Sequence, residues 1–172
     1  MKKAFVLLLV IVVCGALATG QEVRIKDQKP FFYAYLECTG PYSQMQAKIG
    51  EFLEAFFSQN LGSFTGLIAL YLNAPGQVPE AELKWRIGIP IAKDMEPAAP
   101  LQKDVFDHPQ VAFALHVGPY DKIGETYAKI SAFIDQNGWR MSGPAMEMYL
   151  DNPEETPAEK LRTELSIPVV KK

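Results

Sequence analysis

The 172-residue sequence has only two cysteines and two histidines. Cys14 falls within the N-terminal apolar segment, so Cys38 is the one cysteine of the remaining chain, and an internal disulfide there is excluded. His108 and His116 are too few to supply the ligands of an ordinary metal site, and no Cys-x-x-Cys-His haem-attachment motif occurs. We therefore predict that the protein uses neither a metal nor another cofactor.

Long apolar runs are almost absent, and the one that exists lies near the N-terminus. Two lysines precede apolar residues 4–13 and small residues follow, which is the pattern of a secretory signal peptide. We expect a signal peptide over residues 1–20, cleavage before Gln21, and an exported protein, periplasmic or extracellular. Val13 stands where a lipobox normally has a small residue, which disfavours a lipid anchor on Cys14. No later run is long enough to span a bilayer.

The sequence also has no excess of positive charge. Its formal net charge is −3, and it becomes −5 once the two lysines of the signal peptide are removed. Such a domain lacks the basic surface with which proteins bind nucleic acid, so we expect a small-molecule partner and no nucleic acid. A Gly-x-Ser-x-Gly nucleophile elbow and a glycine-rich phosphate loop are missing as well, which argues against two large enzyme classes.

What the sequence does contain is an internal repeat. When the chain is shifted by 78 positions without a gap, Gly40-Pro41-Tyr42 falls on Gly118-Pro119-Tyr120, and Tyr71-Leu72 falls on Tyr149-Leu150. Most of the matched residues are of the kinds that occur in turns and at strand ends. Two copies of one supersecondary unit are therefore predicted.

Each copy, over about residues 31–91 or 109–170, has the pattern strand, helix, strand, strand. Residues at helical spacing, which in the second copy are Ile123, Tyr127, Ile130 and Ile134, form an apolar stripe after each Gly-Pro-Tyr turn, and period-two alternation marks the strands. The predicted strands are residues 31–38, 65–72 and 84–91 in the first copy and 111–117, 144–150 and 162–170 in the second. Residues 92–108, which contain prolines and several charges, are predicted to form a surface linker.

These elements predict an α+β fold. One helix cannot cover a three-stranded sheet, so we expect the two copies to pair about a pseudo-twofold axis. The expected result is an antiparallel sheet with the helices on one face and a ligand cleft on the other.

Strand alternation indicates which side chains reach this cleft. Met146 and Met148 are predicted to point towards the helices, which leaves Glu147 and Tyr149 on the cleft face, with Glu164 on the next strand. A carboxylate beside aromatic rings suits a cation. The alternatives are that Glu147 is a solvated surface residue, that the tyrosines only pack, and that Glu164 pairs with a neighbouring base such as Arg162, Lys160 or Arg86.

Several motifs of the second copy occur together in a particular order. They are His116-Val117-Gly118-Pro119-Tyr120, Gly138-Trp139, Glu147-Met148-Tyr149-Leu150-Asp151 and Thr163-Glu164-Leu165-Ser166-Ile167-Pro168. In this order the chain resembles the GyrI-like family, the effector-binding domain of multidrug-sensing transcription activators and of free-standing proteins. The resemblance covers the chain after the signal peptide, strongly in the second copy and weakly in the first.

The resemblance implies a duplicated strand-helix-strand-strand unit with the helices on one side and a ligand cleft on the other. In family members that sense drugs, an acidic residue at the position of Glu147 receives cationic aromatic compounds, and Glu164 is a second acidic candidate. With Tyr71, Tyr149, Tyr120 and Trp139, these two residues form the predicted ligand-binding set. An exported copy with no helix-turn-helix motif cannot easily regulate transcription, so we expect capture of an amphiphilic cationic or aromatic small molecule outside the cytoplasm.

Two other functions stay open at this point. Some relatives resemble hydrolases that act on reactive natural products, and Glu147 would then be the general base for a water. The third possibility is a protein-interaction module whose cleft is vestigial. The absence of a recognisable nucleophile and metal set favours a binding protein over an enzyme.

Overall fold

The computed structural model describes residues 22–172, so the signal peptide predicted over residues 1–20 lies outside the described residues. Residues 22–172 form nine β-strands and two α-helices. The strands are β1 (Arg24–Asp27), β2 (Phe31–Thr39), β3 (Leu67–Tyr71), β4 (Lys84–Ile91), β5 (Gln102–Phe106), β6 (Gln110–Val117), β7 (Trp139–Met141), β8 (Ala145–Tyr149) and β9 (Arg162–Lys171). The helices are α1 (Met45–Ser58) and α2 (Ile123–Gln136). Neither helix of this part of the chain is long and apolar enough to cross a membrane.

All pairs between these strands are antiparallel. The strand order is β1-β6-β9-β8-β3-β4-β2-β5, and the short β7 pairs with β9. Helix α1 packs on β2 and β4, and α2 packs on β6, β7 and β9. The predicted α+β class with an antiparallel sheet is confirmed.

The repeat in the sequence is also a repeat in the fold. Helices α1 and α2 begin and end at positions that differ by 78, and so do β3 and β8. Strands β3 and β8 lie side by side in the middle of the sheet, where Ala69 is directly opposite Glu147, its own repeat equivalent. A pseudo-twofold axis therefore passes through this residue pair, with one helix on each side.

A further strand precedes each repeat of about residues 31–91 or 109–170, and these two strands, β1 and β5, are exchanged between the repeats. The shift that superposes the repeats places β1 on β5, yet β1 pairs with β6 of the second repeat and β5 with β2 of the first. The prediction of a surface linker over residues 92–108 is wrong for Gln102–Phe106, because these residues are β5. Its sequence gives little apolar alternation, since an edge strand leaves its polar side chains in water and is held by backbone pairing with β2.

Separate apolar clusters cover the two faces of the sheet. The cluster under α1 includes Phe52, Phe56 and Trp85, whereas Met146 belongs to a cluster on the helix-free face. Met148 packs against this second cluster. The prediction that Met146 and Met148 point towards the helices is therefore wrong, and Glu147 and Tyr149 lie on the helix side.

The cause of this error is that the central strands β3 and β8 carry buried side chains on both of their faces. Four of the five residues of β3 are buried, so alternation of apolar and polar residues does not distinguish one face from the other. The prediction placed Met146 beside the apolar Leu165. In the observed register Leu165 lies opposite Glu147, and Met146 lies opposite Ser166. A slip of one residue in register moves every side chain to the other face.

Strand β9 carries a buried hydroxyl, that of Thr163, for which residues 22–172 supply no hydrogen-bond partner. We expect Thr163→Val to raise the free energy of unfolding by about 1 kcal/mol, because valine keeps the shape and removes the unsatisfied polar atom. In a domain of this size that corresponds to a rise of about 2–4 °C in Tm, measured by thermal denaturation. Thr126→Val is the matched control and should lower the Tm, because the equally buried Thr126 hydroxyl is hydrogen-bonded to His116. An unchanged or lower Tm for Thr163→Val would contradict this expectation.

Candidate ligand-binding site

A cavity of about 1670 Å³ lies between α1 and α2 on the helix side of the sheet. Strands β3 and β8 contribute to its floor, the helices to its walls, and the segments that follow β3 and β8 to its rim. Its lining includes Tyr42, Met45, Ile49, Leu53, Leu67, Tyr71, Tyr120, Ile123, Tyr127, Glu147 and Tyr149. The cleft was predicted on the face opposite the helices, and this is wrong. Helix α1 packs over strands on one side of β3 and β8, and α2 packs over strands on the other side. A gap therefore remains above the helix side of β3 and β8, and the cavity occupies this gap.

Glu147 is the acidic residue on the cavity floor, and it is only 5 % exposed. Its Oε2 atom accepts hydrogen bonds from the hydroxyls of Tyr149 at 2.7 Å and Tyr71 at 3.1 Å. Its Oε1 atom accepts a hydrogen bond from the hydroxyl of Tyr127 at 2.9 Å. The three phenol groups therefore satisfy a carboxylate whose burial would otherwise be costly.

The environment shifts the ionisation of this whole cluster. Burial raises the pKa of Glu147 above its usual value, and the hydrogen bonds from Tyr149, Tyr127 and Tyr71 oppose the rise. Burial, followed by the charge of the nearby Glu147, also raises the pKa of Tyr71 and of Tyr127. The pKa of Tyr149 is raised by burial, by Tyr71 and by Glu147. The phenols therefore remain protonated donors at ordinary pH, and the carboxyl is the group of the cluster that titrates.

The negative centre of the cavity has no built-in cation. None of the ion pairs formed within residues 22–172 involves Glu147. By contrast, Asp151 at the rim is paired with Arg162 at 2.7 Å. Because the phenol protons point at Glu147, oxygen lone pairs of the tyrosines remain available to whatever enters. The site therefore presents negative potential inside an aromatic and aliphatic lining.

Two edge-to-face tyrosine pairs flank Glu147. The ring centroids of Tyr42 and Tyr71 are 5.1 Å apart with an interplanar angle of 73°, and those of Tyr120 and Tyr149 are 5.5 Å apart with an angle of 81°. The two pairs are equivalent under the 78-residue repeat. At the centre, the hydroxyl oxygens of Tyr71 and Tyr149 are 3.4 Å apart.

The structure brings four of the six predicted site residues together. Glu147, Tyr149, Tyr71 and Tyr120 all line the cavity. They were assigned to the site through the strand pattern, the repeat and the family resemblance. They lie together in one cavity, and their role in ligand binding stays a prediction.

The other two predicted residues lie elsewhere. Glu164 is opposite Met148 on the helix-free face, and its carboxylate is 3.8 Å from the ammonium of Lys26, so a bridge to a nearby base is the better reading. Trp139 is a buried core residue of β7, and the ammonium of Lys171 lies 3.9 Å from the centre of its ring. Glu164 was assigned to the wrong face of the sheet, as Met148 was. Trp139 was included among the predicted site residues only because it belongs to the Gly138-Trp139 motif.

Sequence reasoning missed two lining tyrosines. Tyr42 was treated only as a turn residue of Gly-Pro-Tyr, and Tyr127 as a member of the apolar stripe of α2. A signal for Tyr127 was present, because its repeat equivalent is Ile49, so one copy places a hydroxyl where the other has only carbon. The second repeat differs from the first in the same way at a further position, where Glu147 stands in place of Ala69. The hydroxyl of Tyr127 donates a hydrogen bond to Glu147, so the two residues that differ from the first repeat contact each other.

His116 does not belong to the cavity lining. Its Nε2 atom lies 3.2 Å from the carbonyl oxygen of Pro119, and its Nδ1 atom lies 2.9 Å from Oγ1 of Thr126. A carbonyl can only accept, so Nε2 carries the proton, and the ring ties the Gly-Pro-Tyr turn to α2. Nor do the described residues contain a group of three or more His, Cys, Asp or Glu side chains arranged to hold a metal ion.

Solved structures with the same fold are similar to this chain at low sequence identity. The EcmrR C-terminal domain has a TM-score of 0.74 and 18% identity, over 88% of this chain and 98% of that one. A hydrolase encoded by lin2189 from Listeria innocua has a TM-score of 0.69 and 13% identity, over 90% and 94%. SAV2435 bound to tetraphenylphosphonium has a TM-score of 0.56 and 16% identity, over 87% and 94%. At these identities the likeness shows the fold alone.

The two comparisons made with the sequence gave different results. No functionally curated protein matches this chain. In contrast, the model of the GyrI-like small molecule binding domain matches residues 21–170, which include both repeats, the cavity and the Glu147 cluster. The chain therefore belongs to the GyrI-like small molecule binding domain family.

Proposed function

We propose that this domain binds amphiphilic organic cations that carry aromatic groups, and that it does so outside the cytoplasm. The observation that carries the ligand class is Glu147, a buried carboxylate that forms no ion pair within residues 22–172 and faces a cavity lined mostly by tyrosine and aliphatic side chains. Aromatic ring faces attract a cation by about 0.5–2 kcal/mol each, and exclusion of water strengthens the attraction to the carboxylate. The complex of the similar SAV2435 with tetraphenylphosphonium supports the same class of ligand.

Binding fits the geometry better than hydrolysis does. A general base needs a free acceptor position directed at a water, whereas three hydrogen bonds already occupy most of the roughly four acceptor positions of the Glu147 carboxylate. A vestigial cleft is also disfavoured, because the cavity is open and large. The test below nevertheless includes recovery of the ligand, because one solved relative is named a hydrolase.

The proposed location rests on residues 1–20, whose two lysines, apolar run and small residues are typical of a signal peptide. If the protein is exported in this way, mass spectrometry of the chain recovered from outside the cytoplasm should give an N-terminus at Gln21. Recovery of the uncleaved chain from the cytoplasm alone would overturn the proposed location and leave the ligand class unaffected.

We expect Glu147→Gln to weaken the binding of tetraphenylphosphonium by about tenfold or more, or at least about 1.4 kcal/mol, because the substitution removes the charge and keeps the size. Isothermal titration calorimetry measures the affinity, and Glu164→Gln is the matched control. Glu164 lies on the adjacent strand but on the other face, so its substitution should change affinity by less than about twofold.

Neutral triphenylphosphine oxide tests the role of charge in a second way, since its affinity should be the same for wild type and Glu147→Gln. The cation should be recovered unchanged after prolonged incubation. Equal loss in both glutamate variants, or absence of binding to the wild type, would refute the proposed ligand class. Conversion of the probe would show turnover in place of binding.

A further inference from the structure

We propose that the cavity selects a single monovalent cation whose charge lies between two aromatic arms, with one arm in each half of the cavity. This inference rests on the proposed function, because it names the shape and charge of the ligand that the Glu147 site takes. It derives from the pseudo-twofold axis, which relates the two halves of the cavity and passes through its charged residue.

The charge of the site is central and single. Glu147 is directly opposite Ala69, its own repeat equivalent, so the carboxylate lies beside the axis and not within one half. The other repeat contributes no carboxylate there, because alanine occupies the equivalent position. Of the acidic residues at the rim, Asp151 is paired with Arg162 and Glu154 is exposed to water. One positive charge at the centre is therefore matched, and a second positive charge in either half meets no buried partner.

The apolar lining is duplicated on both sides of that charge. In one half the ring of Tyr42 packs edge-to-face on that of Tyr71, with ring centroids 5.1 Å apart. In the other half Tyr120 packs on Tyr149 in the same way, with centroids 5.5 Å apart. Other repeat-related pairs that line the cavity are Met45 with Ile123, Leu72 with Leu150, and Pro75 with Pro153. Each half thus offers an aromatic and aliphatic subsite of the same kind, at a similar position relative to Glu147.

The size of the cavity also favours two arms. Its volume of about 1670 Å³ exceeds the roughly 300–1,000 Å³ of an ordinary small-molecule pocket. A cation with one ring would fill one half and leave the apolar lining of the other half in contact with water. The apolar rim residues Phe64 and Met141, one from each repeat, are 55 % and 52 % exposed, so a second arm would cover surface that is otherwise wet.

Two isomeric probes test the inference on the wild-type protein. Dibenzyldimethylammonium and (biphenyl-4-ylmethyl)trimethylammonium have the same atoms, the same single charge and two rings each, but only the first places the charge between the rings. We expect the first to bind with a stoichiometry of one and about 3- to 10-fold more tightly, because only it places a ring in each half while its nitrogen stays near Glu147. Isothermal titration calorimetry gives both quantities.

The repeat-related variants Tyr42→Leu and Tyr120→Leu provide the symmetry test, with retention of fold checked by circular dichroism. Each should weaken dibenzyldimethylammonium binding by a similar factor, about 2- to 10-fold. The isomer with both rings on one side can occupy either half, so each variant should weaken its binding by no more than about twofold.

The outcomes separate this inference from the proposed function. Equal affinity for the isomers, or two molecules bound per chain, with both probes still dependent on Glu147, would overturn the two-armed ligand and leave cation binding standing. Loss of affinity in only one tyrosine variant for both probes would also overturn it. If neither probe binds and tetraphenylphosphonium does not bind either, the proposed function itself fails.

Discussion

The affinity for a quaternary ammonium or phosphonium ion is expected to rise with pH and then level off. Burial raises the pKa of Glu147, so in the free protein part of the population keeps a neutral carboxyl at pH values where an ordinary glutamate is already ionised. A bound cation favours the ionised carboxylate and lowers the pKa again, so binding releases a proton. Between the pKa of the complex and the raised pKa of the free protein, affinity should increase by up to about tenfold per pH unit.

The pH range of the rise, and its loss in one variant, distinguish Glu147 from other titrating groups. Above the raised pKa the carboxylate is already charged, and below the pKa of the complex it is protonated in both states, so affinity is flat in both regions. Probes with a permanent charge do not titrate, and the three tyrosines that face Glu147 have raised pKa values and stay protonated. In Glu147→Gln the slope should vanish. A slope that persists in this variant would show that a group other than Glu147 causes the pH dependence.

Trp85→Ala is expected to produce the largest loss of stability. Trp85 is 0 % exposed in the cluster under α1, and its indole Nε1–H donates a hydrogen bond to the carbonyl oxygen of Gly40 at 3.0 Å. Truncation leaves a cavity and an unpaired carbonyl in the Gly-Pro-Tyr turn. The expected cost is about 3–5 kcal/mol, which corresponds to a fall in Tm of about 6–20 °C in thermal denaturation.

The same substitution should also weaken the ligand site. The ring of Trp85 lies 6.1 Å from that of Tyr42, with an interplanar angle of 84°, and Tyr42 in turn packs against Tyr71. Trp85→Phe is the conservative control, since it retains an aromatic ring and loses the indole hydrogen bond, so its Tm should fall by less than half as much. A Tm for Trp85→Ala within about 2 °C of the wild type would show that the cluster repacks around the loss.

Much of the fold could be predicted because the residues shared by the two repeats are mostly turn-forming residues, which fix where helices and strands begin and end. The Gly-Pro-Tyr segments and the apolar spacing after them place α1 and α2, and the alternating segments place β2, β3, β4, β6, β8 and β9 within one or two residues. Three short strands were missed, namely β1 and β5 at the ends of the sheet and β7, which pairs with β9. Strands β1, β5 and β7 have three to five residues and carry weak patterns, because their pairing depends on partners distant in sequence.

The site was predicted in part and for partly wrong reasons. Glu147 and Tyr149 were identified correctly as neighbours, but their face of the sheet was not. Strand β8 has buried side chains on both faces, so alternation cannot distinguish the two faces. Tyr127 reaches Glu147 from a helix, and no strand pattern indicates that meeting. The position of Tyr127 beside Glu147 depends on how α2 packs over β6, β7 and β9, which the sequence pattern does not specify.

The exchange of β1 and β5 ties the two repeats into one mechanical unit. Each repeat supplies an edge strand that pairs with the other repeat. Neither repeat can therefore unfold without breaking backbone hydrogen bonds of the other. Unfolding is then cooperative across the whole domain, although the architecture looks like two similar modules joined in tandem. The hollow at the junction is held by both halves together, and it survives only while both remain folded.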